Sequence, residues 1–266
     1  MRRILFASMT LAAALAGAGL AAPPQAADAG VNPDEIIRKF AAKEAEFRKA
    51  RENYTYRQSF KFEELDNSGR VTGRWEQTSD IIFGPNKQRM EKVTYAPVKT
   101  LKLLITPQDE QDLRDVQPFV LTTEDIGKYD VRYLGKQNVD EIGCYLFSVK
   151  PKTMVKGQRY FEGQIWVDDR DLQIVKTYGK GVGVLGKNED NQFPKFETYR
   201  EQIDGKYWFP TYTHADDTLH FRDSEQRIRM TVKYQNYKRF GAESTITFGA
   251  EATEPGKPAT DTKKKQ

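Results

Sequence analysis

The sequence predicts a mainly β (α+β) fold. It consists of a long, antiparallel, strongly coiled sheet or barrel with an N-terminal helix and a short helical plug or lid. Three observations carry this. From Tyr129 to Phe240, amphipathic runs rich in Val, Ile, Tyr, Phe, Trp and Thr meet at tight polar turns. Asp168-Asp169-Arg170-Asp171, Ile203-Asp204-Gly205-Lys206 and Arg222-Asp223-Ser224-Glu225 are three such turns, the signature of successive hairpins. Between Tyr54 and Tyr95 the apolar period is two, over runs longer than the usual strand of about five or six residues. The predicted order shows no alternation of strand and helix, which excludes a doubly wound fold.

The elements follow in order. Arg2 and Arg3, the apolar stretch Ile4 to Leu20 and the small residues around Ala27-Asp28-Ala29 read as a secretory signal peptide over residues 1–29. Asn32-Pro33-Asp34-Glu35 opens a helix, with an N-cap residue, a proline suited to the first position and acids suited to the first turn. Ile36, Phe40, Glu44 and Phe47 follow at helical spacing, and Asn53 ends the helix. Tyr54, Tyr56, Phe60 and Phe62 then share one strand face, and Trp75, Ile81 and Phe83 share one face of the next strand. The stretch Leu101 to Asp125 breaks the pattern and reads as one or two short helices. Strands resume at Tyr129–Lys136, Ile142–Lys150, Arg159–Asp168, Leu172–Gly179, Lys195–Ile203, Tyr207–Phe221 and Gln226–Arg239. Residues 30–248 form a single domain of this kind, and 249–266, ending near Lys263-Lys264-Lys265, read as a disordered charged tail.

Composition narrows the classes. The formal net charge of +4 falls further once Arg2 and Arg3 leave, and bases and acids are interspersed. That excludes a strong electrostatic case for nucleic acid. The single cysteine, Cys144, lies within a strand and reads as a small buried hydrophobe. Without a disulfide framework, stability must come from packing, for which the chain is long enough.

Candidate chemistry is sparse. Gly181-Val182-Gly183-Val184-Leu185-Gly186 matches a dinucleotide-binding pattern, but the polar run to Pro194 starts no helix, so it reads as a glycine-rich loop. His214 and His220 are separated by roughly 20 Å of strand, too far to share one metal ion. Asp216-Asp217 is expected to mark a bulge or turn. Almost all the carboxylates alternate outward with Lys and Arg, and no serine or threonine lies in a nucleophile elbow. The reading is therefore no enzyme, no catalytic residue, no metal and no cofactor.

The aromatics say more. The same-face sets supply an ordinary core, yet one long sheet has only two helical regions to cover its inner face. Uncovered apolar wall would form a cavity for acyl chains. The candidate lining residues are Tyr56, Phe60, Phe62, Trp75, Phe83, Trp166 and Met230.

One family shows these features together. Tyr133-Leu134-Gly135-Lys136 through Cys144-Tyr145-Leu146-Phe147-Ser148-Val149 resembles the periplasmic lipoprotein carrier family. So do Gly163-Gln164-Ile165-Trp166-Val167-Asp168, Leu172-Gln173-Ile174-Val175-Lys176 and the hairpin Glu201 to Pro210. That family includes the lipoprotein-sorting carrier, its outer-membrane receptor and the lipid-binding domain of anti-sigma-factor regulators. The resemblance implies an unclosed β-barrel whose mouth is plugged by helices, with a cavity that receives lipid without covalent chemistry. It thus implies a monomeric periplasmic protein that binds lipid or lipoprotein acyl chains and carries them toward the outer membrane. The alternative is an envelope sensor that binds a membrane-protein partner or a mislocalised lipoprotein. The glycine-rich insertion at 179–194 and the charged tail depart from a typical carrier.

Overall fold

A computed structural model describes residues 32–184, 194–221 and 223–239. The expected signal peptide, most of the glycine-rich loop and the charged tail lie outside the described residues.

The described residues open with helix α1 (Pro33–Arg51). Asn32 caps it, its side-chain oxygen accepting the Glu35 N–H at 3.2 Å, with Pro33 in the first turn and Arg48, Lys49 and Arg51 in the last. Strands β1 (Tyr54–Leu65), β2 (Val71–Phe83) and β3 (Arg89–Tyr95) form an opening meander. A long connection follows, containing the short helix α2 (Pro107–Gln111), one π-helical turn (Asp112–Val116) and a 3₁₀ turn (Ile126–Lys128). The chain then runs through β4 (Tyr129–Val139), β5 (Ile142–Pro151), β6 (Tyr160–Asp168), β7 (Ile174–Val182), β8 (Phe196–Gln202), β9 (Trp208–His220) and β10 (Glu225–Arg239).

The ten strands of the described residues belong to one antiparallel sheet in the order β3-β2-β1-β10-β9-β8-β7-β6-β5-β4. The order is sequential around a ring, with β10 returning to β1, and the ring is open between β3 and β4. The sheet is thus an unclosed barrel with an N-terminal helix and a short helix, as the sequence predicts. Local chemistry sets the turns. Asp66 accepts the backbone N–H groups of Ser68 and Arg70, both at 2.9 Å, while Gly69 takes φ +81°, a conformation that favours glycine. Asp204 does the same work for Lys206 and Tyr207, each at 3.0 Å.

One expectation is corrected. Asp216 and Asp217 make neither a bulge nor a turn. They pair in unbroken register with Arg229 and Ile228, because Arg227 and Arg229 on β10 neutralise Asp216. A few carboxylates are exceptions to the outward pattern. Glu44 and Glu64 are fully buried and Asp112 nearly so, each held by hydrogen-bond donors described below. Among the described residues, no helix is long and apolar enough to cross a membrane.

Candidate ligand-binding face

Strand register assigns the faces. On β1, Phe60 stands opposite Val232 of β10 and Gln77 of β2, while Phe62 stands opposite Met230 and Trp75. On the far side of the sheet, Ile165 stands opposite Phe147 and Thr177. These residues share the inner face, over which α1 lies. Phe40 of α1 packs on Phe147 with ring centroids 5.5 Å apart, and Phe47 meets Phe209 edge-on at 5.2 Å. The connection between β3 and β4 covers more of the same face, where Phe119 stacks on Phe161 at 4.4 Å.

The structure brings Phe60, Phe62, Trp75 and Met230 together on this face. The Phe60 and Trp75 rings meet edge-on at 4.7 Å, and the Gln117 side-chain amide points at the Met230 sulfur at 3.2 Å. Tyr56 lies at one end of the set, stacked on Tyr237 at 5.1 Å. Beside it, a void of about 20 Å³ is lined by Phe47, Arg51, Tyr56, Pro118, Phe209, Pro210, Tyr234 and Tyr237. Phe83 is half-buried at the end of β2, opposite Arg89. Trp166 is the exception. Side chains alternate along a strand, so with Ile165 and Val167 facing inward Trp166 faces outward. There it packs with Cys144 and Val175 in a separate cluster, and its indole N–H donates to Gln137 at 2.9 Å.

The polar groups that fix the coverings were not read from the sequence as a site. The guanidinium of Arg200 donates to both carboxylate oxygens of Glu44 at 3.0 and 3.2 Å and also to the Phe119 carbonyl. One β8 side chain therefore ties α1 and the connection to the sheet. Glu44 also accepts the Ile174 N–H at 3.2 Å. Burial pushes its pKa above the usual carboxylate range, against the pull of Arg200. Asp112 and Arg159 form a second buried pair, at 2.5 and 2.8 Å, and burial likewise raises the Asp112 pKa against the pull of Arg159. Glu64 accepts the Lys102 and Leu103 N–H groups at 2.9 and 2.6 Å. Gly73 keeps room for that contact, since a Cβ there would collide with the Glu64 carboxylate. The Thr198 hydroxyl donates to the Gln117 carbonyl at 2.9 Å.

Glu44 carried a readable signal, an acid at an apolar-stripe position of the helix. Arg200 shares inward parity with Phe196 and Thr198, a sign visible only once the buried face is known.

The histidines lie on β9, on surfaces of another kind. His214 stacks between Tyr199 and Tyr212 and is 3.7 Å from Glu197, while His220 pairs with Glu225 at 2.8 Å. Among the described residues, no group of three His, Cys, Asp or Glu is placed to hold a metal ion.

No protein-family model matches this chain, and no curated protein matches it. Solved structures do. A DUF1329 family protein from Desulfovibrio piger is 15% identical over 80% of this chain and 96% of its own, with a TM-score of 0.42. A LolA superfamily protein from Nitrosomonas europaea is 13% identical over 79% of this chain and 94% of its own, with a TM-score of 0.32. The Pseudomonas aeruginosa MucA/MucB complex contributes a chain 11% identical over 76% of this chain and 100% of its own, with a TM-score of 0.21. The open antiparallel architecture is read from this chain's own strand order.

Proposed function

We propose that this chain is an exported, periplasmic, non-catalytic binding protein whose inner sheet face accepts lipid or lipoprotein acyl chains and shields them in transit. One observation carries the reading. The connection between β3 and β4 lies across an aromatic inner face and is tied there by separate polar latches at Glu64, Arg159, Thr198 and Arg200. Connections longer than about 12–15 residues are uncommon inside compact domains and often serve as lids. Polar latches come apart by exchanging partners with water, so the cover can leave without unfolding the sheet. Acyl chains would then replace Phe119 and its neighbours against Phe60, Phe62, Trp75 and Met230. The Gln117 side-chain carbonyl and the Arg200 Nε are buried without a hydrogen-bond partner among the described residues. Such groups weaken closure by about 1–3 kcal/mol each.

The test is native mass spectrometry of the protein purified from an envelope extract, with lipid analysis of what dissociates. It is paired with uptake of a dansyl-labelled fatty acid by wild type and by Arg200→Met. Co-purified acyl lipid, or saturable probe uptake that rises in the variant, supports the reading. A clean mass and no uptake by either protein overturns it.

A second reading is favoured by how fully the inner face is already covered. In it, the closed domain is an envelope interaction module that binds a membrane-protein partner and keeps its interior as core. A stable protein complex formed with no probe uptake selects this reading.

A further inference from the structure

Residues 90–100 are exposed without interruption, although they include Met90, Val93, Tyr95 and Val98. Val98 is 89% exposed and Leu104 85%. β3 is an edge strand of the sheet, so no further strand covers this stretch among the described residues. Soluble proteins scatter large exposed hydrophobes singly, and a group of them marks an interaction surface.

The exposed charges of residues 92–102 are basic. Lys92, Lys99 and Lys102 are exposed. The acid of the stretch, Glu91, is already held by Arg89 at 2.8 Å and by the Gln77 amide at 2.8 Å. Lys99 holds its ammonium over the Trp75 ring, 5.6 Å from the centroid. Basic side chains beside projecting aliphatic ones form the pattern of an anionic membrane surface contact.

We propose that the β3 edge and residues 96–104 dock on an anionic lipid bilayer. Val98 and Leu104 enter the acyl boundary, Tyr95 sits at the headgroup level, and Lys92, Lys99 and Lys102 meet lipid phosphates. The occupant is a bilayer rather than a protein because Val98 and Leu104 project from a segment without regular secondary structure. The groove beside them, about 370 Å³ and lined by Val71, Arg74, Tyr95, Pro97 and Val98 among others, has rims of mixed charge. A fluid bilayer accepts such side chains without shape complementarity. The same segment continues into the backbone that Glu64 holds at Lys102 and Leu103, so docking places the membrane beside the cover of the inner face. The proposal does not depend on that face holding lipid.

The experiment is flotation of the purified chain with phosphatidylcholine vesicles, with and without phosphatidylglycerol, at low and high salt. Binding is expected only with phosphatidylglycerol and is expected to weaken as salt screens it. Lys99→Glu/Lys102→Glu should weaken binding by roughly ten-fold or more, given about 1 kcal/mol per basic side chain at such a surface. Val98→Asp/Leu104→Asp should abolish it. Both pairs are exposed, so the fold should stay intact by circular dichroism. Three results overturn the proposal. These are equal binding to neutral vesicles, wild-type binding by Val98→Asp/Leu104→Asp, and loss of binding only when Lys263, Lys264 and Lys265 are neutralised. Capture of an acidic peptide without vesicle binding would show the surface to be a protein site and also overturns it.

Discussion

Removing the charge of Arg200 tests the architecture of the covered face most directly. Arg200 and Glu44 are 1% and 0% exposed at the side chain, and the guanidinium also supports the Phe119 carbonyl. Arg200→Met keeps an apolar stem of similar length and removes these donors. Breaking one side of a buried pair destabilises by about 3–5 kcal/mol, because the partner is left charged and dry. Here Glu44 can escape part of that penalty by taking up a proton, since burial already raises its pKa. The sign follows. A carboxyl with a raised folded pKa adds stability below its unfolded value near 4.5 and loses that contribution as pH rises through the folded value. The destabilisation by Arg200→Met should therefore be larger at pH 8 than at pH 5. Urea unfolding of wild type, Arg200→Met, Glu44→Gln and the double variant, followed by tryptophan fluorescence, supplies the cycle. The two single losses should exceed the double loss by about 2 kcal/mol or more. Additive losses within about 0.5 kcal/mol would refute the reasoning, as would a loss that shrinks on going from pH 5 to pH 8.

Three further outcomes are expected. Cys144 is buried and its thiol is pushed up to about 11, chiefly by burial. Iodoacetamide should leave it unmodified in the native protein at pH 8 and modify it in denaturant. Gly163→Ala should lose about 3 kcal/mol or fail to express, because the new Cβ would collide with the Tyr178 carbonyl and Gly179 in the paired strand; thermal denaturation reads this. The Tyr54 hydroxyl donates to Asp204 and is pushed up to about 12 by burial and by that carboxylate. Its contribution is whole below the unfolded value near 10 and disappears as pH rises toward the folded one. Tyr54→Phe should thus be about 1 kcal/mol less stable at neutral pH and lose less stability between pH 10 and 12, as read by urea unfolding across that range.

Much of the fold was legible because local chemistry and global pattern agree. Asn32 and Pro33 start the helix where a cap and a first-turn proline belong, and Asp66, Asp168 and Asp204 turn the chain where short acids bind backbone N–H groups. The inner face was legible in part. Phe60, Phe62, Trp75 and Met230 share a face because parity is a property of each strand and the register adds the pairing. Trp166 was misplaced because parity alone does not say which side is buried, and a strand with apolar residues on both sides, such as Gly163-Gln164-Ile165-Trp166-Val167, leaves the choice to its neighbours. The latches were illegible for a different reason. Arg200 meets Glu44 across 156 positions of chain, and its value depends on burial that no local window reports.

The inner face also makes a prediction about what it selects. If, as proposed, acyl chains bind there, an apolar wall of Phe60, Phe62, Trp75 and Met230 contacts the methylene chain without regard to its end, so affinity should follow apolar length. Each buried methylene contributes about 0.8 kcal/mol, or roughly four-fold in Kd. A chain burying ten methylenes therefore gains about 8 kcal/mol, comparable with a few charge-assisted hydrogen bonds at about 1.5–3 kcal/mol each. That is the order of the latches at Glu64, Arg159 and Arg200 that must open. Short chains cannot displace the cover and long ones can, so binding should set in steeply with length. Displacement of dansyl fatty acid by saturated fatty acids of increasing length measures this directly. Arg200→Met should shift the onset to shorter chains, because one latch has already gone. If affinity is flat with length, or the onset is the same in wild type and variant, the aromatic face is simply core and the connection across it is not a cover.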